Sequence, residues 1–258
     1  MEQIQPMIPS INTEKSYAEL LEMKAAAYNS RPGKLVGYDC EICKNKGYIA
    51  KVIDENEVLA ECKCLKIRDT LERIRKSGLE KLFRKSTFKN YECPYSWQQE
   101  LKADTAAYLE NGKGSLFLGG QSGCGKTHLC TAVVGGFIKK GKSARYLVWR
   151  EDSTKLKAMV NDRDYTQALD AFKKTDVLYI DDLFVQDTIT DADVKLAFEI
   201  IDYRNRNNLI TIISTNKSLD DLVKINEPLG SRIVAMTQHA QIYIPDDPSK
   251  NYRLKKRS

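Results

Sequence analysis

Short apolar, β-rich runs recur at positions 116–118, 145–148, 177–180, 209–213 and 242–244, separated by stretches of helical polar–apolar periodicity. Buried strands alternating with helices predict a parallel sheet covered by helices on both faces. The preceding part of the chain reads differently. Ser16 and Glu19 have capping-box spacing, which predicts a short helix to about Tyr28, broken by Arg31, Pro32 and Gly33. Positions 48–52 and 57–60 predict a small hairpin, and the charged stretch 65–82 predicts a helix carrying Ile67, Leu71, Ile74 and Gly78 at helical spacing. Positions 86–94 read as a joint, giving an N-terminal domain at 1–84 and a larger one at 85–258.

Composition narrows the class. The chain has 258 residues, 42% hydrophobic and 29% charged, a soluble globular balance. No apolar run approaches the roughly 18 residues of a membrane span. Met1, Glu2, Gln3, Ile4, Gln5 and Pro6 do not make a basic-then-apolar leader, so a cytoplasmic protein without a membrane partner is expected. The 41 Lys and Arg against 35 Asp and Glu give +6, which permits a polyanionic partner without requiring one. There are seven cysteines, and four stand in two close pairs, which in a cytosolic chain suggests a metal more than disulfides.

Gly120, Gln121, Ser122, Gly123, Cys124, Gly125, Lys126 and Thr127 fit G-x-x-x-x-G-K-[ST] between a predicted strand and a predicted helix. The glycines let successive N–H groups turn toward one anion at the positive end of the helix. Lys126 is expected to reach the β- and γ-phosphates of ATP, and the Thr127 hydroxyl to ligate Mg²⁺. Cys124 is read as a spacer. Asp181 and Asp182 end a second apolar run: Asp181 suits Mg²⁺ through water, and Asp182 suits polarisation of the attacking water. Asn216 ends a third run and either orients that water or forms a turn.

With these pieces in order, the chain resembles the AAA+ ATPases, and among them the DnaC/DnaI/IstB-like group. The residues carrying the resemblance are the phosphate loop, Asp181, Asp182 and Leu183, then Ser214, Thr215 and Asn216, and then Gly230, Ser231, Arg232 and Ile233, over roughly 86–258. The resemblance implies a P-loop α/β sheet sandwiched by helices and Mg²⁺-dependent ATP hydrolysis, stimulated by assembly or DNA. It also implies that Asn216 is the sensor-1 residue and that Arg232 is an arginine finger completing a neighbour's site in a homo-oligomer. Two features depart from the wider pattern. Asp182 stands where many AAA+ proteins have Glu, which points to slow turnover. Only fourteen residues follow Ile244, too few for the usual helical lid, which leaves Arg253 as the sole nearby candidate for a sensor-2 arginine.

Cys40 and Cys43, then Cys62 and Cys64, are separated by eighteen residues, a spread that allows a tetrahedral Zn²⁺ site. The second pair needs a turn, because i and i+2 diverge on a strand. The two histidines, His128 and His239, lie in the other domain, so four cysteines make the simplest set. DnaI-type bacterial or phage replicative helicase loaders are similar in layout, with a small cysteine-bearing domain that grips the ring helicase. IstB-type transposition helpers typically lack the cysteines.

Lys66, Arg68, Arg73, Arg75, Lys76, Lys81, Arg84 and Lys85, the tail 253–257, and Arg204 with Arg206 offer charge to phosphates, although 63–89 also reads as a solvated helix. The resemblance implies single-stranded DNA binding without base reading. The leading expectation is an ATP-dependent loader that delivers a DnaB-type ring helicase in DNA replication. The alternative is an ATPase helper of transposition. A small-molecule kinase has little support, since no acceptor-binding lid is recognisable.

Overall fold

The computed structural model describes residues 16–76 and 79–255, the last two without their side chains. Gly78 of the charged helix and positions 256–257 of the basic tail therefore lie outside the described residues, as do the first fifteen. Two compact units are present, Met1–Arg68 and Asp69–Ser258.

In the first unit, α1 (Tyr17–Ser30) starts on the expected capping box: the Glu19 amide donates to Ser16 Oγ at 3.3 Å and the Ser16 amide to Glu19 Oε2 at 2.8 Å. It ends at Arg31, which is extended because Pro32 follows. The Asn29 amide group bonds both backbone groups of Ala50 (2.9 and 3.0 Å), fixing α1 to β1 (Tyr48–Ile53). β1 pairs antiparallel with β2 (Asn56–Glu61) through Asp54 and Glu55, both at positive φ, as a tight two-residue hairpin turn demands. The chain then enters α2 (Cys64–Lys76).

The second unit continues through α3 (Glu80–Lys85) and α4 (Ser96–Asn111) to β3 (Leu116–Gly120) and α5 (Lys126–Lys139). Next come β4 (Ala144–Val148), α6 (Trp149–Ala158), α7 (Tyr165–Lys174) and β5 (Val177–Asp181). After α8 (Asp191–Arg206) and β6 (Ile210–Thr215) follow α9 (Leu219–Ile225), α10 (Glu227–Thr237) and β7 (Gln241–Ile244). A 3₁₀ turn (Pro248–Lys250) and α11 (Tyr252–Lys255) complete the described chain. The five strands are all parallel, in the order β4-β5-β6-β3-β7. Every residue of β3 and β5 is buried, which is why these strands read as unbroken apolar runs. One core joins the sheet to its helices through Phe117, Trp149, Ile180, Phe184, Ile200 and Ile233. No helix among the described residues is long and apolar enough to cross a membrane.

Arg204 corrects the sequence reading. It is fully buried and cannot meet a phosphate. Its guanidinium donates to the carbonyls of Phe172, Lys173, Thr175 and Ile210 and to Thr211 Oγ1, at 2.6–3.0 Å. Burial pulls its pKa down, to about 9, yet it stays charged at neutral pH and ties the ends of α7 and α8 to β6.

Candidate functional site

Adjacent parallel strands β5, β6 and β3 deliver Asp181, Asn216 and the phosphate loop to one edge of the sheet, the carboxyl-end position where open α/β sheets bind ligands. A cavity of about 490 Å³ opens there, lined by Ser122 to His128, Tyr91, Asp182 and Arg253. Two glycines give the loop its shape. Gly120 has φ 127° and lies against the Ile244 backbone, and Gly125 caps α5 at φ 97°, pressed against the Tyr91 ring. A side chain at either position would clash within 3 Å and would need a strained backbone.

Lys126 is 6% exposed and donates to the carbonyls of Gly120 (2.6 Å) and Gln121 (2.8 Å). Its charge is thus held inside the loop, at the start of α5. Thr127 Oγ1 donates to Asp181 Oδ1 at 3.2 Å, which brings together the two groups that the sequence assigns to Mg²⁺. Asp182 sits at φ 57°, a left-handed conformation that Asp tolerates, and its amide donates to Ser214 Oγ. The residue is exposed by area, but its carboxyl faces a concave pocket. Desolvation there, and then the Asp181 charge, raise its pKa, while Lys126 and Arg253 oppose the rise. Asn216 Oδ1 is buried without a hydrogen-bond partner in the protein, as fits an acceptor kept for a ligand or water. These features fit a nucleotide with its divalent cation.

The segment after β7, too short for a lid and holding Arg253 as the candidate sensor-2 arginine, closes in part on the loop. Gln121 Nε2 donates to the Asp247 carbonyl (2.7 Å) and the Asp247 amide to Gln121 Oε1 (2.6 Å). The Tyr252 amide donates to the Gly123 carbonyl at 3.1 Å. Tyr252 and Arg253 both line the cavity.

Sequence reading also missed the surroundings of Asp181. Tyr146 of β4, Tyr179 of β5 and Ser214 of β6 all donate hydroxyl bonds to its carboxylate. A signal existed: Tyr179 and Asp181 are two apart on a strand, so they share a face.

Arg232 is not among the residues lining the cavity of its own chain. On α10, it donates to Asp202 Oδ1 of α8 (2.6 Å) and to the Pro228 carbonyl (2.9 Å), and lies 4.6 Å from the Phe198 ring centre. Asp202 also pairs with Arg206 at 2.8 Å. Among the other cations, Arg73, Lys76 and Arg84 pair with acids four positions away on their own helices. Arg68 donates to the carbonyls of Val36 and Tyr38.

In the first unit, the sulfurs of Cys40, Cys43, Cys62 and Cys64 are buried and all lie within 4.8 Å of one another. Cys40 and Cys62 are 3.7 Å apart and Cys43 and Cys64 3.4 Å, close to the roughly 3.8 Å between sulfurs in a tetrahedral site with Zn–S of about 2.3 Å. Lys44 and Asn45 turn at positive φ after Cys43, and Cys64 opens α2, so the second pair has the turn it requires. Burial works to raise Cys43, but the Gly47 amide and the neighbouring thiols bring it down to about 6. Burial, with Cys43 as its neighbour, pushes Cys64 up to about 12. A metal bound here would hold all four sulfurs as thiolates and so complete the ligand set.

A family model for IstB-like ATP binding proteins matches residues 54–258. The chain is 32% identical over 217 residues to "Uncharacterized protein YqaM" of Bacillus subtilis, covering 75% of this chain and 66% of that one. It is 30% identical over 214 residues to phage-like element PBSX protein XkdC of the same organism (77% and 79%). With replicative helicase loader DnaC of Escherichia coli it shares 25% over 179 residues (67% and 70%). Among solved structures, the DnaC helicase loader superposes with a TM-score of 0.55 at 24% identity, covering 65% of this chain and 99% of that one. DnaI superposes at 0.53 and 20% identity (64% and 93%). The fold is thus that of the P-loop AAA+ ATPases. On the family match and the phosphate-loop geometry together, the chain belongs to the IstB-like ATP-binding family, whose members include relatives of the DnaC and DnaI loaders.

Proposed function

We propose that this chain is an assembly ATPase that loads a DnaB-type ring helicase onto single-stranded DNA. The observation that carries the reading is the buried four-cysteine cluster in a separate unit ahead of a complete phosphate site. By the resemblance, loaders of the DnaI type carry such a domain and transposition helpers typically lack the cysteines.

In this reading the loop amides from Gly123 to Thr127 hold the phosphates, and Lys126 swings from the carbonyls of Gly120 and Gln121 to the β- and γ-phosphates. Thr127 and Asp181 would hold Mg²⁺, which supplies neutralisation of the charge developing on the γ-phosphate. Asp182 polarises the attacking water, and the free Asn216 Oδ1 orients it. Arg232, which is not among the residues lining its own chain's cavity, acts on a neighbouring subunit's nucleotide after leaving Asp202. Cys40, Cys43, Cys62 and Cys64 would hold Zn²⁺, which supplies a cross-link between the turn that precedes the hairpin and the segment from the end of β2 into α2.

The test uses the full chain, a DnaB-type helicase and circular single-stranded DNA with ATP and Mg²⁺. ATP turnover that rises with DNA, and helicase recovered on the circles only when the chain is present, are expected. Turnover indifferent to DNA and no recovered helicase would refute the loader. The match to the IstB-like family supports a second reading, a helper of transposition, which predicts stimulation by a transposase instead.

A further inference from the structure

Asp181 is 8% exposed, and its carboxylate meets four hydroxyls drawn from four elements. Oδ1 accepts from Tyr179 (2.6 Å), Ser214 (2.6 Å) and Thr127 (3.2 Å), and Oδ2 accepts from Tyr146. Tyr179 and Ser214 are also within 3.0 Å of each other, so three neighbouring strands close around one carboxyl group. The two tyrosines brace one another, with ring centres 4.6 Å apart and planes at 73°. Tyr179 is wholly buried, and Phe83 of α3 packs edge-on against the half-buried Tyr146 at 6.1 Å. Thr127 is assigned to Mg²⁺ and Ser214 also caps the Asp182 amide, so both have other work. The tyrosine hydroxyls have no such role. A strand residue facing the core beside an apolar sheet is usually Val, Ile or Phe, and a phenol there needs a partner. Here both phenols have the same one.

We propose that Tyr146 and Tyr179 are positioning residues for the metal: their hydroxyls fix the Asp181 carboxylate in the rotamer that receives Mg²⁺. The inference rests on the reading of Asp181 and Thr127 as the metal-holding pair. Charge-assisted bonds from two rigid rings hold the carboxylate before the cation arrives, so none of the cation's binding energy is spent on ordering it.

Tyr146→Phe and Tyr179→Phe remove one oxygen each and keep the rings. The measurement is the affinity of a fluorescent ATP analogue as free Mg²⁺ is raised, and separately in excess EDTA. Unchanged affinity in EDTA is expected, with the Mg²⁺ midpoint raised up to about tenfold for Tyr146→Phe, the size of one lost charge-assisted bond. Saturating Mg²⁺ should restore wild-type affinity. Asp181→Asn is the reference. If it leaves the midpoint unmoved, the metal assignment itself fails. If it moves the midpoint and Tyr146→Phe does not, the assignment stands and the proposal is wrong. A lowered midpoint, which would mean that the hydroxyls compete with the cation, also overturns it, as does weaker binding in EDTA. Should Tyr179→Phe fail to fold, the half-buried Tyr146 decides alone.

Discussion

Two buried cations of the second unit have opposite purposes, and single substitutions separate them. Lys126 sits on loop carbonyls that a phosphate would replace. Lys126→Ala is expected to abolish ATP binding, read by nucleotide fluorescence, with thermal unfolding near that of the parent. Arg204 has no such exchange to make: its bonds go to four carbonyls and one hydroxyl deep in the fold. Arg204→Met should leave those acceptors unpaired and destabilise by about 3 kcal/mol or more, seen as a lower denaturant midpoint at constant slope. Arg204→Lys should rescue little, because one ammonium cannot span donors spread over a planar fork. Sequence alone could not tell these two residues apart by type. Lys126 stands in a motif that predicts a role for it, whereas Arg204 lies in the last turn of an ordinary amphipathic helix and its partners lie 29–32 positions upstream and at 210 and 211.

At the level of elements, the strands were legible and their neighbours were not. The five apolar runs match β3 to β7, most cleanly at β3 and β5, where every residue is buried and no polar side chain interrupts the apolar stretch; the edge strands β4 and β7 are partly exposed and admit Arg145 and Gln241. The hairpin and the capped first helix were also legible, since both are written locally in turn and cap residues. By contrast, α4 carries buried Gln98 and Thr105 among its core-facing residues and gives a weak apolar stripe, so it did not stand out. The charged stretch read as one helix is α2 and then α3, on either side of the undescribed 77–78. In the first unit the hairpin is small, and a chain segment of this size usually needs a staple. Protein purified without added metal is expected to contain one Zn²⁺ per chain by elemental analysis. Cys40→Ser with Cys62→Ser should remove the metal and loosen β1 and β2, read by amide exchange. Acid should release it too, because protonated thiols are not ligands.

For the molecule as a whole, the question is whether one chain suffices. Arg232 is held by Asp202, Pro228 and Phe198 within its own chain, away from its own cavity. If it serves a neighbour, Arg232→Ala should bind nucleotide normally and lose hydrolysis, on the order of 10³-fold at most. Mixing it with Lys126→Ala should recover activity that grows with protein concentration. A mixture as inactive as each variant alone, under conditions where the parent assembles, would leave Arg232 a structural residue of α8 and α10.

The pairing of Gln121 with Asp247 joins positions 126 apart, and Tyr252 reaches Glu92 across 160. The phosphate loop is a contiguous motif in sequence, but these contacts are expected to form late in folding, since closing so long a loop is slow compared with winding helices. In refolding from denaturant, helical circular dichroism should recover first and nucleotide fluorescence afterwards. Recovery of the two signals at one rate would contradict this. A ribosome-bound chain that has exposed residues 120–127, but not yet 247–252, would carry the whole motif and is expected to hold ATP more weakly than the released chain, because the bonds from Asp247 and Tyr252 to the loop are not yet made. Occupancy of the site would then report that residues 247–252 have docked on the loop.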